Sequence, residues 1–348
     1  MKKTTEKRST VSWKETLSKY SKWTMLALLA AAVLFPVVIQ NSYYRGIGTK
    51  IVMYMLLASS VNVINGYSGQ FSIGHAGFMC VGAYTSAILM TRAGWNFLPA
   101  VLTAGVITAL FGMLVSIPIS KLSGIYLGFV TLGFSEIVRI TCLNWTSVTG
   151  GPMGIKAIPG PSFFGISLST PQGYYYVILF LLVLMVFCTN RILKSRTGRA
   201  WISIRENEAA AASIGINTSR YKTINMMYGT FWEGCAGAFM AMYYHFVDSS
   251  MFVTDESFNV LSMAIVGGMG TIGGPLVGAL IINIITETFR FLKEYRMVIY
   301  ALLIIGMMWL RPQGIAGAAD SALVSGGSIF HRKKRRSAKP KPVGKEAA

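Results

Sequence analysis

Residues 98–119 read LPAVLTAGVITALFGMLVSIPI, 22 positions without one charged side chain. A helix of that length crosses the ~30 Å hydrocarbon core of a bilayer, and a surface that apolar is not stable in water. The pattern recurs. Further apolar runs occupy residues 23–39, 51–64, 71–90, 125–143, 173–193, 223–246, 258–289 and 297–310. Only 13% of the 348 residues are charged and 53% are hydrophobic, whereas an ordinary globular domain carries about 25% charge. Lipid must therefore be the main solvent, with room for about eight to ten spans. Spanning backbone must satisfy its own hydrogen bonds. The expected fold class is all-α: a polytopic transmembrane helical bundle.

The net charge of +19 is gathered at three places. Lys2, Lys3, Lys7, Arg8, Lys14, Lys19 and Lys22 form a basic arm, residues 191–222 a basic internal segment, and residues 332–345 a basic tail. Clusters beside apolar spans mark the cytoplasmic side and contact anionic lipid rather than nucleic acid. Counting crossings from a cytoplasmic N-terminus puts residues 144–172 outside, 191–222 inside, and Asp248, Asp255 and Glu256 outside. A basic tail on the inside then requires residues 258–289 to be two segments, broken at 267–274. The first run, 23–39, meets Pro36 and has no small-residue cleavage site, so it reads as a retained span. The expected organisation is a cytoplasmic arm (1–22), a permease domain (23–317) and a disordered cytoplasmic tail (318–348).

Two runs are interrupted by glycine. Residues 65–83 read NGYSGQFSIGHAGFMCVGA and residues 267–279 read GGMGTIGGPLVGA. Each places G-x-x-G directly after apolar residues, Gly66/Gly69 and Gly267/Gly270, with a small residue three further on, Ser72 and Gly273. This is a weak internal repeat of Gly-broken helices. Freed backbone is tolerated in a membrane only where it faces protein or a water-filled path, and paired broken helices build such paths near the midplane of transporters. The alternative is close helix packing through small residues. Candidate path residues are Asn65, Gly66, Ser68, Gly69, Gln70, Ser72, His75, Gly267, Gly268, Gly270 and Gly273.

Residues 198–222 read GRAWISIRENEAAAASIGINTSRYK. Ala, Glu and Arg favour helix, and Gly215 can end it. Ile204, Ala211 and Ile214 can share one face, with Arg205 and Glu208 beside it. Such a helix either docks on a soluble partner or lies on lipid headgroups. Glu136 and Arg139, three apart within a span, can pair on one helical face. Intramembrane charges usually point into the bundle, so this pair is either structural or gates a path. Glu287 and Arg290 form a similar pair, and Glu233 has no partner legible in the sequence. The four cysteines lie in apolar runs and show no metal or redox spacing. The chain has no phosphate-binding G-x-x-x-x-G-K-S/T loop, no nucleophile–base spacing, no metal motif and no cofactor motif.

Taken in order, NGYSGQFSIGHAGFMCVGAY, TLGFSEIVRI, TGGPMGI, GRAWISIRENEAAAASIGIN, VGGMGTIGGPLVGA and RPQGIAG resemble the permeases of branched-chain amino acid ABC importers, nearer the LivM kind than its partner LivH. The resemblance covers most of residues 51–317. It implies a non-enzymatic subunit for leucine, isoleucine and valine in a bacterial plasma membrane. It also implies a second permease subunit, two cytoplasmic ATPases and an extracytoplasmic binding protein. Arg205, Glu208, Ala210, Ala211 and Gly215 resemble the coupling loop (about 194–222) that docks on the ATPase, although E-x-A-A-x-x-x-G is one residue longer than the strict E-A-A-x-x-x-G form. Rival readings are a related importer for urea, a short amide or another amino acid, an ion-driven secondary transporter, and a membrane scaffold.

Overall fold

The computed structural model describes residues 30–119, 124–163 and 166–288, with 298, 301, 302, 305, 306 and 309 beyond them. The basic arm, the tail, RPQGIAG, Arg290 and nearly all of the last apolar run lie outside the described residues. After a helical stretch at 30–38, ten helices carry the fold: α1 Ser42–Val61, α2 His75–Thr91, α3 Phe97–Ile119, α4 Ile125–Asn144, α5 Pro171–Leu193, α6 Arg196–Glu206, α7 Glu208–Ser213, α8 Thr218–Tyr244, α9 Thr254–Gly267 and α10 Gly274–Thr288. α1 runs on into a π-helical segment, Asn62–Tyr67. Four of these stretches are long and apolar enough to cross a membrane: Ser42–Tyr67, α3, α4 and α5. The chain is an all-α, multi-pass membrane protein.

Capping side chains decided two boundaries that hydropathy placed too late. α1 begins at Ser42, not residue 51, because the Asn41 side chain accepts the Tyr43 N–H at 2.9 Å. Arg45 sits inside that first turn with its Nε donating to the Ile39 carbonyl. α8 begins at Thr218, not residue 223, with Asn217 accepting the Arg220 N–H. The run 258–289 is broken where glycine predicted, into α9 and α10, which fold against each other as a hairpin.

α8 is the central helix, packed on α2 and α3. Small residues let the backbones meet. A Cβ on Gly237 would collide with the Met79 carbonyl of α2, and one on Gly82 with the Gly234 carbonyl of α8. Gly237→Val should therefore cost about 1–3 kcal/mol by overpacking or more, read as a lowered melting temperature of the detergent-purified chain. An unchanged melting temperature would refute this packing.

The bundle has two chemically distinct ends. At one, Tyr43 donates to Glu287, Arg92 donates to the Ser147 and Val148 carbonyls, and Ile155–Lys156 pairs antiparallel with Phe246–Val247. At the other lie α6, α7 and the start of α8, with Arg196, Arg199, Arg205, Arg220 and Lys222. Residues 144–172 and 246–256 thus share an end and 194–222 takes the opposite one, as the crossing count requires.

Candidate functional site

The π-helical segment after α1 has a widened turn, so several of its carbonyls need partners from elsewhere. They come from three sources. Asn225 of α8 donates to Val63 O at 2.9 Å. The Ser68 hydroxyl and the Gln70 N–H reach Ile64 O. The Arg205 guanidinium donates to Gly66 O at 3.0 Å. Ser68 also donates to Asn225 Oδ1, and Gln70 Nε2 donates to Ser68, Lys222 O and Asn225 Oδ1. The polar residues of the first break therefore lie in a buried network against α8.

The second break meets the first directly. Asn62 Nδ2 donates to Thr271 O at 2.7 Å while Asn62 Oδ1 accepts the Gly270 N–H at 2.6 Å. One asparagine on the π-helical segment thus holds the turn between α9 and α10. A Cβ on Gly66 would run into Asn62 Oδ1 and come within 2.6 Å of Gly270 N. Gly270 needs glycine twice over: its φ is +80°, and a side chain would collide with the Arg205 guanidinium. Arg205 also packs its stem over Gly69. One arginine of α6 therefore touches both glycine breaks. This contact, with Gly69 and Met269 exposed, puts the breaks at the basic end.

The glycines of the second break act in two ways, by close packing and by turning the chain. Gly267 packs its Cα face against the Gly274 carbonyl. Gly268, at φ +113°, and Gly270 turn the chain. Gly273 lies within the turn itself.

Deeper in the bundle, Asn65 Nδ2 donates to Ser72 O, and the same carbonyl lies 3.0 Å from His75 Nε2. His75 Nδ1 lies 2.8 Å from Glu233 Oε1. Both His75 and Glu233 are wholly buried. The partner of Glu233 is thus 158 residues away.

The basic internal segment forms two helices, not one. Asn207 is extended (φ −161°, ψ 108°) and its side chain accepts the Ala210 N–H, starting α7 afresh. An asparagine oxygen competes with the helical backbone and favours a cap. Ile204 and Ala211 are buried, but Ile214 is exposed, so the three do not share a face. Glu208 pairs with the buried Lys222 of α8. Ala210 is exposed, and Gly215 (φ +86°) ends the segment with open space around it. Glu136 and Arg139 do pair, Arg139 Nε donating to both carboxylate oxygens at 3.0 Å. They do not point into the bundle: their side chains are 36% and 23% exposed.

The family model for the branched-chain amino acid transport system permease component matches residues 43–308. The chain belongs to that family. It is 36% identical over 314 residues to the high-affinity branched-chain amino acid permease protein LivM of Salmonella typhimurium, covering 84% of this chain and 74% of the relative. The LivM protein of Escherichia coli is similar to the same degree. The LivH protein of Escherichia coli is 24% identical over 291 residues, covering 77% of this chain and 92% of that one. No solved structure matches. This branched-chain amino acid permease component uses polar residues that were not among the candidate path residues, Asn62, Thr271, Asn225 and Lys222, and it gives Glu233 its partner. Asn62, Asn225 and Glu233 carried a signal, as polar side chains inside or beside apolar runs.

Proposed function

We propose that this chain is the LivM-type permease subunit of an ABC importer for leucine, isoleucine and valine in a bacterial plasma membrane. It works with a LivH-like second permease, two cytoplasmic ATPases and an extracytoplasmic binding protein. The observation that carries this reading is the Arg205 contact with both glycine breaks. A basic segment on the cytoplasmic side offers exposed Ile214 and Ala210 to a soluble partner, and through Arg205 it reaches the broken helices. ATP binding and hydrolysis in the partners would displace α6 and α7. That displacement would shift the turn between α9 and α10 against the π-helical segment and switch the path between its two sides. The candidate path is built around the two breaks, and residues 1–22 and 318–348 belong to the cytoplasmic face beside the lipid.

The test is ATP-dependent uptake of radiolabelled leucine by cells carrying the chain with these partners. Glu208→Lys is expected to lower uptake at least tenfold, since it places a second cation on buried Lys222 at the docking segment. The amount of chain in the membrane is measured alongside. Uptake of urea or a short amide in place of leucine would keep the importer and change its substrate. Uptake by the chain alone on an ion gradient would sink the reading.

A further inference from the structure

We infer that the exposed face of α4 is the seam at which this chain packs against the second permease subunit, with Glu136 and Arg139 at the edge of that seam. The inference rests on the importer reading above. Three features of α4 carry the inference. It is the least embedded of the four long apolar stretches, with 22% of its most apolar window buried against 72% in Ser42–Tyr67. Its ion pair is half-open although it sits deep: at 1.5 Å per residue, Glu136 and Arg139 lie about 2 and 7 Å from the middle of Ile125–Asn144. A charge at that depth is costly against hydrocarbon and calls for polar company from protein. The outer edge of the pair has no such company within the described residues.

The third feature is Gly133. It lies at the centre of the exposed face, flanked at helical spacing by Tyr126, Phe129, Ile137 and Ile140. A Cβ there would meet nothing within 4 Å. Glycine within a helix is less stable than alanine by roughly 0.5–1 kcal/mol, and no packing among the described residues requires it. A close-approaching backbone from another transmembrane helix does. The exposed face of α3 is a contrast. Leu102, Val106, Leu110, Phe111, Leu114 and Ile117 are exposed there with no charged side chain among them, which suits acyl chains. The partner helix therefore presents small residues opposite Gly133 and a polar or charged group opposite Glu136 and Arg139.

The experiment installs the photo-crosslinking residue p-benzoylphenylalanine at Phe129 or Ile137 in the assembled transporter, leaving the native cysteines untouched. Leucine uptake is measured on the same cells. The expected product is an adduct with the second permease subunit, identified by mass. Adducts with phospholipid only, or with another copy of this chain, would overturn the proposal while intact uptake left the importer reading in place. Loss of the importer reading would appear separately, as absent ATP-dependent uptake in the unaltered chain. A second variant, Gly133→Leu, should lower co-purified second subunit at least fivefold with the chain's own melting temperature unchanged. Full co-purification would overturn the seam.

Discussion

Arg205→Ala is expected to lower ATP-driven uptake about tenfold while the chain stays in the membrane. The guanidinium makes a charge-assisted hydrogen bond to Gly66 O and packs against Gly69 and Gly270. A hydrogen bond to a charged group contributes about 1.5–3 kcal/mol, or roughly 10- to 150-fold in a population at 1.4 kcal/mol per decade. The side chain is one-third exposed and also pairs with Glu206, so solvent screening places the effect at the low end of that range. Arg205→Lys keeps the stem over Gly69 but replaces a planar fork with a point charge, and it should fall between the two. Basal ATP hydrolysis that persists while uptake falls would mark lost coupling rather than lost assembly. Uptake unchanged in Arg205→Ala would show that the contact transmits nothing.

Breaking the His75–Glu233 pair is expected to have the largest effect on stability. Both ring nitrogens face oxygens, Glu233 Oε1 and Ser72 O. His75→Ala leaves Glu233 alone at zero exposure, with its Oε2 already without a partner among the described residues. Removing one member of a buried pair costs about 3–5 kcal/mol. At roughly 2–4 °C per kcal/mol, a melting temperature lowered by about 10 °C is expected in detergent. Replacing both with leucine removes the stranded charge as well, so the double variant should be milder than the sum of the singles by at least about 2 kcal/mol. Additive losses would show that the two groups are not coupled.

How much was legible varied with the range of the interaction. The ends of α3, α4 and α5 fell within two residues of the apolar runs at 98–119, 125–143 and 173–193, because hydropathy is summed along contiguous chain. The break between α9 and α10 was legible because glycine acts on its own backbone. Asn41 and Asn217 moved two helix starts, and Asn207 split the basic internal segment, through hydrogen bonds two or three residues long. A hydropathy window averages such local chemistry away. The burial of Glu136 and Arg139 was misjudged, since their spacing shows that they can pair but not which way the helix turns them.

The sequence by itself determined that this is a helical membrane protein with a basic end, two glycine-broken segments and a basic helical segment between two spans. Each of those follows from the composition of a short stretch or from the spacing of residues within it. Only the tertiary structure decided that the two breaks touch through Asn62, that Arg205 reaches both, and that His75 answers Glu233. These contacts join residues from 65 to 209 positions apart in the chain. Which polar side chain meets which across the bundle is set by how the helices pack, and no local pattern carries that information.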